Sequence, residues 1–191
     1  MSNILVIAAH PDDEVLGCGG AMALHNNDGD EIHVLFMTDG VSSRGKDLTE
    51  ISNRQFSAQN AGKILGVKSI TFLDYPDNQM DSVPLLKIVQ DIEKAFSTVK
   101  PNIIYTHHVG DLNIDHQITH KAVMIASRPQ PGCCVREIYT FEILSSTEWN
   151  TQSSDSVFLP NYYVDISPVI DLKVKAMNMY EKEIRNFPHS R

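Results

Sequence analysis

Two hydrophobic periods alternate along the chain. Short runs rich in β-branched and large apolar residues recur at 3–9, 31–38, 69–73, 102–106 and 135–143, and read as strands. Between them lie segments whose apolar residues fall three and four apart. Residues 15–26 follow the first strand. Residues 49–65 carry Ile51, Ala58, Ala61, Ile64 and Leu65 and end at Gly66; residues 83–99 carry Leu85, Leu86, Val89, Ile92 and Phe96, and Pro101 stops them. This alternation predicts an α/β fold, a mostly parallel sheet with helices on both faces, as in a Rossmann-like three-layer sandwich. Beyond 143 the pattern loosens: 145–156 read as loop, 162–166 as a short strand and 172–185 as a final helix. No repeat or long linker divides the chain, so residues 1–191 are expected to form one domain.

Composition narrows the class. The net charge of −8 argues against a nucleic-acid backbone as partner. It does not exclude a small anion gripped locally by Arg44 or Arg54, although Arg44 reads equally well as a solvated surface residue. No apolar stretch approaches the ~20 residues of a membrane span, and no basic flank precedes the first apolar run, so no secretory leader is expected. Cys18, Cys133 and Cys134 have no zinc spacing, and their odd number suits a reduced, cytoplasmic protein.

The first strand runs straight into His10-Pro11-Asp12-Asp13-Glu14. Three adjacent carboxylates repel one another, and burying them unpaired is costly. Parallel sheets carry their sites outside the carboxyl ends of their strands, which is where this turn lies. His10 and Asp13 can converge on one cation, since imidazole and carboxylate are both zinc ligands. A third ligand has to come from elsewhere, and the loop after the strand 102–106, with His107, His108, Asp111, Asp115 and His116, opens on the same rim. Asp12 would then be placed to act as general base towards metal-bound water. Taken alone, the acidic turn reads equally well as a helix cap. Gly17-Cys18-Gly19-Gly20 does not follow the strand in a dinucleotide-binding arrangement and reads instead as a close packing point for the first helix. His25 and His33 read as structural, and so does His120, on the helix after His116.

Residues 9–14, Ala-His-Pro-Asp-Asp-Glu, and 110–116, Gly-Asp-Leu-Asn-Ile-Asp-His, resemble the PIG-L/LmbE-like zinc-dependent N-deacetylases. Supporting similarity lies in 72–78, 141–149 and 160–166. The resemblance implies zinc, or another divalent transition metal such as iron(II) or cobalt, held by His10, Asp13 and His116. Asp12 falls on the general base, and Asp115 on a carboxylate directed at the second loop's histidine chemistry. Arg54 resembles a substrate-facing arginine. The implied reaction removes the acetyl group from an N-acetylated amino sugar or its conjugate. Many relatives have His-Pro-Asp-His where this chain has Asn113-Ile114-Asp115-His116, so the oxyanion falls either to zinc together with Asn113, or to His107 or His108. Asp77, Asn78 and Trp149 are further candidates for sugar contacts, with turn formation or packing as equal accounts. Similar proteins continue beyond 187–191 with more helix, implying either a shortened end or a pocket completed by a neighbouring subunit of a homo-oligomer. An amidase acting on another N-acyl or thiol conjugate, and a non-catalytic sugar- or metal-binding module, are the rival expectations.

Overall fold

The computed structural model describes residues 1–45, 47–189 and 191, and for Arg44 the backbone alone. Five parallel strands form one sheet: β1 (Asn3–Ala8), β2 (Glu31–Thr38), β3 (Val67–Tyr75), β4 (Ile103–His107) and β5 (Glu137–Phe141), in the order β3-β2-β1-β4-β5. β1 is central and buried on both faces, which explains its unbroken apolar run. Its side chains divide by parity: Ile4, Val6 and Ala8 enter one core, Leu5 and Ile7 the other.

Three helices cover the first face: α1 (Asp13–Asn27), α2 (Leu48–Ile64) and α5 (Ile170–Met177). Two cover the second: α3 (Leu85–Val99) and α4 (Ile114–Ala126). On α3, Ile88, Val89, Ile92 and Phe96 are buried at helical spacing. The helix closes on Lys100, in the left-handed conformation at φ 51°, just before Pro101. The three-layer expectation therefore holds. The glycines of α1 act as expected, because Cβ atoms at Gly17 and Gly20 would lie 2.3 Å from the Phe141 ring and 2.6 Å from Ile166.

Two elements differ from the sequence pattern. Residues 162–166 form no strand. That segment packs through side chains instead, Tyr162 against Tyr139 at 4.6 Å between ring centroids and Ile166 over Gly20. The expected final helix breaks after Met177 into a tighter turn, Asn178–Glu183, with Tyr180 at φ −101° and ψ 50°. Tertiary partners account for the break: the Tyr180 hydroxyl donates to Glu14 at 2.6 Å, and Glu183 pairs with Arg54. Among the described residues no helix is long and apolar enough to cross a membrane.

Candidate metal centre

The chain order reverses between β1 and β4, and such a switch point opens a crevice at the carboxyl ends of the strands. The two acidic loops flank it. Asp12 enters α1 with φ 126° and ψ −28°, a conformation that costs a non-glycine residue roughly 1–3 kcal/mol. Neighbouring contacts compensate. The Asp12 N–H donates to Glu14 Oε2 at 3.0 Å, and its carbonyl accepts from Val15 and Leu16. The turn brings Asp13 Oδ2 to the backbone N–H of His10 at 2.9 Å.

His10 Nδ1, Asp13 Oδ2 and His116 Nε2 form a nearly equilateral triangle with 3.2 Å sides. Metal–ligand bonds of about 2.0–2.1 Å at tetrahedral angles require ligand separations of about 3.3–3.4 Å, so three facial positions fit one small cation. All three side chains are buried. Asp13 Oδ1 is enclosed and has no hydrogen-bond partner among the described residues. An orphaned buried carboxylate oxygen beside converging ligand atoms fits a cation site. These groups could hold a metal.

The outward nitrogen of each imidazole meets an acid. His10 Nε2 lies 3.1 Å from Asp115 Oδ2 and 3.3 Å from Asp77 Oδ1. His116 Nδ1 lies 3.0 Å from Asp111 Oδ1, close but not well aligned for a hydrogen bond. Carboxylates behind the rings orient them and turn the inner nitrogens' lone pairs towards the triangle. Burial opposes charge on both rings, but the surrounding acids outweigh it: His10 is raised well above the usual histidine range and His116 is raised to about 9. Burial would raise Asp111, but the adjacent His116 ring and the hydroxyls of Ser146 and Thr147 outweigh it and hold the carboxyl at about 2.

The candidate residues separate by placement. Asp115 faces His10 of the first loop rather than His116 of its own, and its two oxygens also accept from the N–H groups of Asn78 (2.7 Å) and Met80 (3.0 Å). Asn113 caps α4 by accepting from the Asp115 N–H at 2.8 Å, and its amide donates to Asn78 Oδ1 at 3.1 Å. The two asparagines thus form a polar pair on the rim.

His107 does not fit a role in substrate contact or oxyanion binding. It is fully enclosed, stacked on His116 at 3.9 Å, and its Nε2 accepts the Ala9 N–H at 2.8 Å. Burial pushes it well below the usual histidine range, so it is neutral filler beneath the site. His108 turns away to the Ser156 carbonyl at 3.1 Å. Asp77 is also buried, bound to His10 and to the N–H of Ser43, rather than open to a sugar. Trp149 is 56% exposed, its ring meeting that of His189 edge-to-face at 5.5 Å between centroids. Arg54 is buried and turned inward, donating to the Pro11 carbonyl at 2.8 Å and to Glu183. The Arg44 side chain lies outside what is described.

Four residues at the site were given no role of their own by the sequence reading. Glu14 supports the strained Asp12, and burial pushes it up to about 8. Asp111 had a visible signal, since it shares the 110–116 motif, but nothing marked it as the partner of His116. Glu183 and Arg191 come from the irregular end of the chain and carried no signal. Asp12 itself is buried beside both arginines. Burial, then the Asp13 charge, push it up to about 7, against the opposing pull of Arg191 and Arg54.

The fold and the site together define an α/β protein whose parallel sheet carries, at its switch point, a His–Asp–His cluster that could hold a metal. The family model for PIG-L, GlcNAc-PI de-N-acetylase, matches residues 5–127. This chain belongs to that family. It is 36% identical over 132 residues to the uncharacterized deacetylase YaiS of Escherichia coli K12, covering 67% of this chain and 69% of that one. It is 25% identical over 209 residues to the diacetylchitobiose deacetylase of Thermococcus kodakarensis, covering 96% and 70%. The solved 4-carboxy-2-hydroxymuconate hydratase of Pseudomonas putida matches with a TM-score of 0.72 at 25% identity, over 96% of this chain and 80% of that one.

Proposed function

We propose that the protein is a zinc-dependent hydrolase that removes the acetyl group from an N-acetylated amino sugar or its conjugate. The 3.2 Å triangle of His10, Asp13 and His116, with the buried carboxylate of Asp12 in the same turn, carries this reading. The deacetylase relatives support it. Zinc held there would supply a Lewis acid that polarises the acyl carbonyl and lowers the pKa of water towards ~7.

The chain's own groups do the rest. Asp12 takes a proton from the water as its oxygen bonds to the acyl carbon, then passes it to the nitrogen as the C–N bond breaks. The products are acetate and a free amine. Asn113 and Asn78, on the rim, supply amide donors for the acyl oxygen or a sugar hydroxyl. Asp115 holds the His10 ring, and Asp111 the His116 ring.

Acetate release from N-acetylglucosamine presented free, as diacetylchitobiose, nucleotide-linked and lipid-linked tests the activity and ranks substrates. Zinc-loaded protein that releases no acetate from any of them would end the deacetylase reading. The similarity to a hydratase supports a second one, addition of water to an activated double bond, read out by loss of ultraviolet absorbance from a conjugated unsaturated tricarboxylate. Asp115→Asn should weaken zinc binding by about 10–100-fold, as typical for partners behind a ligating histidine. Chelator competition would check this, and unchanged affinity would remove Asp115 from that role.

A further inference from the structure

The Asp12 carboxylate is held through one oxygen. Its Oδ2 lies 2.9 Å from Arg191 Nη1 and 3.5 Å from Arg54 Nη1. The two guanidinium groups are not equivalent. Arg54 commits Nη1 to the Pro11 carbonyl and Nη2 to Glu183, leaving a long approach to Asp12. Arg191 makes the short contact.

Arg191 is itself clamped, with its side chain 15% exposed. Its Nε donates to Ser145 Oγ at 2.8 Å and, at 3.4 Å, to the Leu144 carbonyl; Nη1 also lies 3.4 Å from Glu183 Oε2. The loop after β5 is bent to receive it. Ser145 has φ 68°, and its N–H donates to Glu148 Oε1 at 2.6 Å.

We propose that Arg191 is a positioning residue for the hydrolysis: by pinning Asp12 through Oδ2, it presents Oδ1 to the attacking water. This rests on Asp12 being the base. The terminal torsion of an aspartate is broad and two-fold, so a free carboxylate would share the proton-accepting position between two oxygens and a range of tilts. A charge-assisted hydrogen bond to one oxygen removes that freedom, and small misplacements at a reacting centre are costly in rate. Oδ1 makes no hydrogen bond within the described residues, which leaves it for water. Lysine could not reproduce the arrangement, because a single ammonium lacks the fork that reaches Ser145 and Asp12 together.

The test compares Arg191→Ala, Arg191→Lys and Asp12→Asn as zinc-loaded proteins, following acetate release from the best substrate of the panel above. Arg191→Ala should lower kcat about 10- to 100-fold. KM, zinc content and melting temperature should stay near wild type. Arg191→Lys should recover only part of the loss. Guanidinium chloride below denaturing concentration should partly restore Arg191→Ala and leave Asp12→Asn inactive. Unchanged kcat in Arg191→Ala overturns the proposal, and so does a rise, which would make Arg191 an obstruction. A loss that guanidinium does not relieve also overturns it, by assigning Arg191 a structural part. The two ideas fail separately: full turnover by Asp12→Asn removes the base, whereas inactive Asp12→Asn beside fully active Arg191→Ala removes only the positioning.

Discussion

An Asp13→Asn protein is expected to purify without its divalent ion and without hydrolytic activity. Asp13 Oδ2 lies 3.2 Å from both His10 Nδ1 and His116 Nε2, so one atom completes two sides of the triangle. Asparagine keeps the shape but removes the charge that offsets a dication. It can also point an NH₂ group at the centre, where only lone pairs bind. The loss of affinity should exceed the ~10–100-fold typical of removing a partner behind a ligand. Elemental analysis and chelator competition measure it directly. Wild-type metal stoichiometry in this variant would remove the proposed centre. A second variant, His116→Ala, guards against a folding artefact, since His116 enters from α4 rather than from the strained turn.

Asp12→Asn should behave differently, keeping its metal and losing turnover. Loss of a general base typically costs about 10²–10⁴-fold in rate. Asparagine is among the non-glycine residues that best tolerate positive φ, so the 126° backbone should survive the exchange. Zinc content and KM should therefore remain near wild type while kcat falls. If kcat holds within a few-fold with zinc bound, Asp12 is not the base. The contrast between the two variants is informative because the residues are adjacent: one loses the ion, the other only the proton acceptor.

Much of the site was legible because its parts are local. The motif 9–14 ends a buried strand, and 110–116 follows another, so both loops could be assigned to one rim before any coordinates. His10, Asp13 and His116 do converge. The substrate candidates fared less well, for a consistent reason. His107, Asp77 and Arg54 have the right chemistry near the right place, but each is buried and turned inward to another site residue. Sequence reports proximity along the chain, not the direction of a side chain within a loop.

By itself the sequence determined the alternation of strand and helix, the two cores on either side of β1, and the acid-rich ends of β1 and β4. Periodicity and turn chemistry act over a few residues and need no partner. The tertiary structure alone decided which acid stands behind which imidazole: Asp115 crosses to His10, while Asp111 serves His116. It alone brought Glu183 and Arg191 to Asp12, across separations of more than 170 positions. Such pairings follow from how loops and a broken final helix pack into one crevice, and there the demand that every buried charge find a partner overrides local pattern.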